Sequence, residues 1–173
     1  MAVSHGGAAL EFAQPELKAD RGFILEAVAR CGAALEFAAA ELRADRDVAL
    51  AAVAQDSSAL KHASEDLRAD RTFLLAALTR ARNPRNLDLL WCGVDEALWE
   101  DRAFLVDAIA KRSELLGIAI ERCAELREDR EFLLTVCEKT SAQQEALRHA
   151  APELLADREF VPMFFLTCIL TFG

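Results

Sequence analysis

The chain has 173 residues, a hydrophobic fraction of 53% and a formal net charge of −9 at pH 7. Such a hydrophobic fraction excludes wholesale disorder, which requires few apolar groups and a dominant excess of one charge. The negative charge argues against nucleic acid as a partner, because binding to phosphates draws on a basic patch and every Lys/Arg run here has acids nearby.

The first seven residues are predicted to be an N-terminal tail. They show no signal peptide, because no basic segment is followed by an apolar run. The five cysteines of the chain are odd in number and form no CxxC pair. This usage predicts reduced thiols and an intracellular, reducing compartment, either cytoplasmic or organellar. Cys137 falls at a predicted core position, where it replaces a small hydrophobic residue.

From residue 8 onward the chain is repetitive, because an Asp-Arg pair recurs six times at spacings of 25, 25, 31, 28 and 28 residues. A fixed period of this length is typical of helical repeat proteins. The pairs are Asp20-Arg21, Asp45-Arg46, Asp70-Arg71, Asp101-Arg102, Asp129-Arg130 and Asp157-Arg158. We predict an all-α solenoid of about six two-helix repeats in one domain, 8–173, with repeats 8–32, 33–57, 58–88, 89–116, 117–144 and 145–173.

Apolar residues recur in register with the pair, at spacings that fit one face of a helix. A leucine stands three residues before every aspartate, and a phenylalanine stands three residues after five of the six. All of these side chains are predicted to be buried between neighbouring repeats. They are Leu17, Leu42, Leu67, Leu98, Leu126 and Leu154, with Phe23, Phe73, Phe104, Phe132 and Phe160.

The aspartate is predicted to be the N-cap of the second helix in each repeat, where its carboxylate accepts bonds from the first-turn N–H groups. Pro15 and Pro152 each stand five residues before an aspartate. Since proline suits a first helical turn and disrupts a helix interior, this position marks the break between the two helices. Each repeat therefore reads as a short helix, a tight connection and a helix of about ten residues.

The arginine of the pair needs a partner of its own, because a cation at a helix N-terminus faces an unfavourable dipole. Five of the six repeats carry an acid four residues before the aspartate. We predict that the arginine bridges this acid, or carbonyl groups at the end of a neighbouring helix. The alternative is that the six arginines form a ladder that binds an anionic partner.

The fourth repeat departs most from the pattern. Trp99 stands where Lys18, Arg43, Arg68 and Arg127 stand in other repeats, a position expected to face solvent. An exposed tryptophan is a good contact anchor, so Trp99 is a candidate partner-binding residue.

Three segments, LKADRGFILEAVARCGAALEFA, LRADRDVALAAVA and LREDREFLLTVCEK, resemble the repeats of the family named domain of unknown function 4116. That family is similar to A-L-x-x-A-S-x-E-L-R-x-D-R-E-F-V-L-x-A-V in tandem and is plentiful in single-celled algae. The resemblance covers nearly the whole chain and is weakest in the fourth repeat. It implies a repeat architecture and no active residues.

Catalytic motifs are not recognisable. The chain has no P-loop, G-x-G-x-x-G, G-x-S-x-G or H-E-x-x-H, so we predict no enzyme activity, catalytic residues, cofactor or metal. His62 and His149 stand eight residues before an aspartate, where Phe12 and Phe37 stand in the first two repeats. That equivalence indicates half-buried positions, and metal ligation by either histidine is the alternative.

The C-terminal run is apolar on every face from Phe160 to Phe172. It is too short for a membrane span, which needs about 20 apolar residues, and it contains Pro162. A helix that is apolar all round must be buried by something, so this end is predicted to dock on another subunit, further chain or lipid. The predicted partner-binding residues are Phe160, Phe164, Phe165, Ile169, Leu170 and Phe172.

The sequence therefore predicts a non-catalytic protein–protein interaction module or scaffold. The alternative is an accessory or linker subunit of a large assembly, docked through its apolar C-terminal end. Because the family that the repeats resemble is plentiful in algae, the resemblance implies a membrane-embedded, photosynthetic assembly. The expected partners are other protein subunits, with no nucleic acid, no transmembrane span, and membrane contact at the C-terminal end alone.

Overall fold

The computed structural model describes residues 9–81 and 93–172, and the side chains of 10–81 and 93–167. The predicted N-terminal tail lies outside these ranges. Within them every element is helical and no strand occurs, so the predicted all-α class is confirmed. The chain divides into two compact units, Met1–Glu96 and Ala97–Gly173.

Within the described residues, six long helices carry the repeats. Five of them have 10 residues and begin at the arginine of the Asp-Arg pair, as predicted, and the sixth has 13 residues. They are α1 (Arg21–Arg30), α2 (Arg46–Gln55), α3 (Arg71–Arg80), α4 (Arg102–Lys111), α5 (Arg130–Lys139) and α6 (Phe160–Phe172).

A short corner helix precedes each long helix, in the segment that the sequence indicated as a tight connection. Pro15 and Pro152 each occupy the first position of such a helix, where proline's fixed φ and missing N–H cost nothing. The corner helices are Pro15–Ala19, Ala40–Arg43, Glu65–Ala69, Ala97–Glu100, Ala124–Arg127 and Pro152–Leu155.

An upstream helix opens each repeat for which this segment is described. In the first unit the upstream helices are tight 3₁₀ turns, and in the second they are α-helical. They are Ala9–Phe12, Gly32–Phe37, Ser57–His62, Leu115–Arg122 and Gln143–His149.

In the first unit, α1 packs on α2 and α2 packs on α3, while the upstream helices of repeats two and three lie side by side. Val28, Leu35, Val53 and Leu60 are completely buried in this stack. The packing is close enough that Gly32 has no room for a side chain, because a Cβ there would lie 2.6 Å from the Ala52 carbonyl oxygen.

The second unit repeats the arrangement, with α4 on α5, α5 on α6, and the upstream helix Leu115–Arg122 on Gln143–His149. Its core contains the buried rings of Phe104, Phe132, Phe160 and Phe164. In both units, therefore, the main helix contacts join neighbouring repeats, as expected of a repeat protein.

Backbone hydrogen bonds also link neighbouring repeats. In each, the N–H group of the residue just before a corner helix donates to a carbonyl near the end of the corner helix of the preceding repeat. Ala39 N–H donates to Lys18 O at 2.9 Å, and Ser64 N–H donates to Arg43 O at 3.0 Å. In the second unit Ala151 N–H donates to Arg127 O at 2.9 Å. In these three repeats the residue two positions before the aspartate accepts through its backbone carbonyl, whatever its side chain is.

Two predictions of burial fail at the first repeat, where Leu17 is 42% exposed and Phe23 is 39% exposed. In the third repeat the equivalent Phe73 is buried and lies under the Arg46 guanidinium of the preceding repeat, 5.6 Å from the ring centre. No described repeat precedes Phe23 to cover it in this way. Leu98 and Leu154 are half-buried rather than buried, whereas the other predicted leucines and phenylalanines are buried.

Candidate functional site

Each aspartate of the Asp-Arg pair caps the long helix that follows it. The Asp45 carboxylate accepts from the N–H groups of Asp47 and Val48, at 2.9 and 3.1 Å. The same bonding, to an N–H two or three residues further on, occurs at Asp20, Asp70, Asp101, Asp129 and Asp157.

Four arginines of the Asp-Arg pairs contact the next repeat, where each bonds the capping aspartate. Arg21 bonds Asp45 at 2.8 Å and Asp47 at 3.0 Å, and Arg46 bonds Asp70 at 2.7 Å. In the second unit Arg102 bonds Asp129 at 2.6 Å, and Arg130 lies 3.4 Å from Asp157. The predicted partners, the acids four residues before each aspartate, are therefore not those of these four arginines.

Three capping aspartates in this ladder of ion pairs have pKa values below the ordinary value: Asp45, Asp70 and Asp157. The pKa of Asp45 is lowered chiefly by the hydrogen bond from the Arg21 guanidinium, and the pKa of Asp70 chiefly by the Thr72 hydroxyl. The pKa of Asp157 is lowered by its bonds to the first-turn N–H groups. Since the arginines of the ladder are engaged by acids of the same chain, they are not free to bind an anionic partner.

The prediction of an exposed Trp99 is wrong. The indole is only 6% exposed, and the Arg122 guanidinium covers it at 5.1 Å from the ring centre. The equivalent Arg43 and Arg68 are also half-buried, because long basic side chains lay their stems along apolar surface and keep the charge in water. The burial of Trp99 could not be predicted from the repeat pattern, because basic residues at the equivalent positions indicate exposure to solvent.

The C-terminal helix α6 has an inner and an outer side. Phe160 and Phe164 are buried within the unit, so the prediction that they contact a partner is wrong. Phe165 is 55% exposed and Leu166 is 58% exposed. The side chains of the remaining candidates, Ile169, Leu170 and Phe172, lie outside the described part of the chain.

Phe165 is exposed at a position that is buried in every preceding repeat. It stands eight residues after the aspartate, and the equivalent residues of the other repeats are Val28, Val53, Leu78, Ile109 and Cys137. Those five side chains are at most 1% exposed.

The last repeat adds Leu155 and Met163 to this surface, 43% and 41% exposed. We call Leu155, Met163, Phe165 and Leu166 the apolar edge. Leu155 was not predicted from the sequence. Its exposure was indicated there, because Leu155 occupies the position where four other repeats carry Lys or Arg.

Arg158, which lies between Leu155 and Met163 in the sequence, is the exposed arginine of the last Asp-Arg pair. It forms no ion pair with the described residues, in contrast to Arg102 and Arg130 of the same unit. At the other end of the chain, Asp20 caps α1 but receives no arginine from the described residues.

The described histidines and cysteines do not form a metal centre. His62 and His149 are half-buried, and each lies near a glutamate, at 3.8 Å from Glu36 and 3.6 Å from Glu145. Among the described residues no group of three or more His, Cys, Asp or Glu is arranged to hold a metal ion. Cys137 is buried, and Cys31 and Cys123 are free thiols. No described helix combines the length and apolar character needed to cross a membrane.

Comparison with known proteins places the repeats in a family. The sequence profile of the domain of unknown function (DUF4116) matches residues 1–43 and 45–90, together just over half of the chain. The chain belongs to the DUF4116 family. The DUF4116 match covers the first three repeats, and the resemblance of repeats five and six remains a prediction. Comparisons with curated proteins and with solved structures found no match.

Proposed function

We propose that this DUF4116 chain is a non-catalytic protein–protein interaction module that docks a partner on its apolar edge. The observation that carries the proposal is the exposure of Phe165, at a position where five other repeats bury an apolar side chain. Burying apolar area stabilises a complex by about 25 cal/mol per Å², so a partner that covers this edge gains free energy.

The neighbouring charge specifies the chemistry of the partner. At the junction between repeats two and three, Arg46 bonds the carboxylate of Asp70 and lies over the apolar ring of Phe73. Arg158 and Phe165 offer the same combination of a guanidinium and an apolar side chain. The partner is therefore a protein that presents an apolar helical face with a carboxylate at a helix N-terminus. A second copy has these groups in Asp20, Leu17 and Phe23 of its first repeat.

The association state of the chain and its co-purification from native extract test the proposal. We expect Phe165→Glu and Leu166→Glu to abolish complex formation, since each introduces a charge at the apolar edge. The matched control is Ala110→Glu, because Ala110 is exposed on α4 at the repeat position of Leu166. Arg158→Asp should weaken the complex. A partner in which the matching acidic residue is replaced by arginine should restore it. Complexes that survive Phe165→Glu, Leu166→Glu and Arg158→Asp would disprove this docking site.

The apolar edge also favours a second function, that of an accessory subunit held permanently in one large assembly. Permanent interfaces are more hydrophobic than transient ones, and the edge consists of four large apolar side chains. One stoichiometric complex in the extract would support the subunit, whereas a changing set of partners would support the module. Adding lipid vesicles tests whether lipid covers the apolar edge. Vesicle binding by the unmodified chain that is lost in Phe165→Glu would assign the edge to a membrane surface.

A further inference from the structure

A basic cleft of about 320 Å³ lies between repeats two and three of the first unit. One wall is the corner helix that ends at Arg43, and the other is the segment from Lys61 to Arg68. The two walls are held together by the hydrogen bond from Ser64 N–H to the Arg43 carbonyl oxygen, 3.0 Å long. A volume near 300 Å³ is at the lower end of the range for small-molecule pockets, so the cleft suits a small group.

The charge of the cleft is opposite to that of the whole chain. Arg43, Lys61 and Arg68 are cations among its lining residues, and Glu65 is the one acid. The Glu65 carboxylate is turned outward, with a side chain that is 92% exposed and an oxygen 3.9 Å from Arg68. In a chain of net charge −9, three cations around one half-enclosed space are an unusual concentration.

Two of these cations have unused hydrogen-bonding capacity inside the protein. The Nε–H groups of Arg43 and Arg68 are buried and have no hydrogen-bond partner among the described residues. Arg43 is half-buried and makes no ion pair with the described part of the chain, unlike the arginines of the ladder. A buried polar group without a partner is costly. An anion in the cleft would supply acceptors for the terminal N–H groups, which are the other donors of each guanidinium.

Uncharged donors complete the lining. The pKa of His62 is lowered chiefly by burial. The negative charge of Glu36 opposes this shift, and the positive charges of Lys61 and Arg43 add to it. The imidazole is therefore neutral near pH 7 and can donate from one ring nitrogen. The Ser64 hydroxyl oxygen accepts from Leu67 N–H at 3.4 Å, which leaves its proton for a ligand.

The equivalent junctions do not share this charge. Between repeats one and two, Glu36 and Phe37 stand where the cleft has Lys61 and His62, and Lys18 donates to the Glu11 carbonyl oxygen. Between repeats five and six, Arg148 is paired with Glu145 at 3.0 Å. The positive cleft is thus a property of one described junction and does not follow from the repeat itself.

We propose that this cleft is a binding site for a phosphate monoester group, held by the guanidinium groups of Arg43 and Arg68 and by Lys61. The lining carries three cations and one acid, and a phosphate monoester carries close to two negative charges at neutral pH. Guanidinium groups match phosphate oxygens with two parallel hydrogen bonds. The site is independent of the apolar edge, which belongs to the other unit.

Titration of the full chain with inorganic phosphate and phosphoserine, followed by NMR of the arginine Nε–H signals, tests the site. We expect saturable shifts, weaker binding of acetate at matched ionic strength, and weaker phosphate binding below about pH 6, where the dianion takes up a proton. Arg43→Gln should lower the affinity about tenfold, as expected for losing a charged hydrogen-bond donor. Lys18→Gln, at the equivalent position of the first repeat, should leave the affinity unchanged.

A second variant and two peptides make the result decisive. Lys61→Gln changes an exposed side chain and should also lower the affinity, so the test remains valid if Arg43→Gln fails to fold. A phosphoserine peptide that binds more tightly than phosphoserine itself identifies a phosphorylated protein as the source, and equal affinity identifies a small phosphorylated molecule. Equal binding of the unphosphorylated peptide, equal binding of acetate, or affinities unchanged in both variants would overturn the proposal.

Discussion

Arg46 donates a 2.7 Å hydrogen bond to Asp70, which is the residue that caps the next long helix. One carboxylate oxygen of Asp70 receives this guanidinium, and the other accepts from the N–H groups of Thr72 and Phe73. A single side chain therefore both begins α3 and joins it to the preceding repeat. Because the two roles share one carboxylate, helix capping and repeat stacking depend on each other.

Removal of a capping aspartate should destabilise the chain. Asp45→Ala loses the bonds to Asp47 and Val48 and the ion pair with Arg21, and we expect a loss of about 1–2 kcal/mol in the free energy of unfolding. Urea unfolding measures this loss. Glu41→Ala is the control, since Glu41 is an exposed acid four residues earlier. An equal effect of both variants would contradict the capping role.

Arg46 and Asp70 should be energetically coupled. Arg46→Ala removes the ion pair to Asp70 and the contact over the Phe73 ring, and should cost about 1 kcal/mol. A double-mutant cycle with Asp70→Ala should give a coupling of about 0.2–1 kcal/mol. The coupling should decrease in high salt, because the arginine is 42% exposed and its charge is screened. Additive effects of the two substitutions would show that this ion pair contributes nothing to stability.

Acid should unfold the chain through the aspartates of the ladder. The pKa values of Asp45, Asp70 and Asp157 are lowered in the folded state, so the unfolded chain binds protons first as the pH falls. Their stabilisation is complete above the unfolded pKa of about 3.9 and is lost as the pH falls through the lower folded values.

The midpoint of urea unfolding, followed from neutral to acidic pH, checks this prediction. Asp45→Asn is the informative variant, because asparagine is also a good N-cap but does not titrate. Asp45→Asn should lower the free energy of unfolding at neutral pH, because asparagine cannot form the ion pair with Arg21. It should also make the decline of that free energy in acid less steep. An unchanged acid slope would exclude Asp45 as a source of acid sensitivity.

Gly32 should not tolerate a side chain. A Cβ at this position would lie 2.6 Å from the Ala52 carbonyl oxygen and 3.0 Å from the Asp56 nitrogen, and backbone atoms cannot move aside locally. We expect Gly32→Ala to lower the melting temperature, at a cost of about 1–3 kcal/mol. Gly22→Ala is the control, because the nearest atom there is a flexible Asp20 oxygen at 3.3 Å and the fourth repeat has Ala103 at that position. Equal melting temperatures for Gly32→Ala and the wild type would contradict the close packing.

The repeat pattern predicted the elements well, because capping and helix formation are local. The aspartate, the proline and the spacing of apolar residues act within a few positions of the chain. The starts of the long helices could therefore be derived from residues such as Asp45, and the break before them from Pro15. The partners of the arginines could not be derived. Arg46 has an acid nearby in sequence at Glu41, but its actual partner is 24 residues away.

The sequence by itself determined the helical class, the period of the repeats and the capping aspartates. The tertiary structure alone decided which apolar side chains are exposed, because exposure depends on whether a neighbouring repeat covers a position. The same repeat position is therefore buried in Cys137 and 55% exposed in Phe165. Stacking also decided the charge of the basic cleft, since Arg43 and Lys61 are brought together from different repeats.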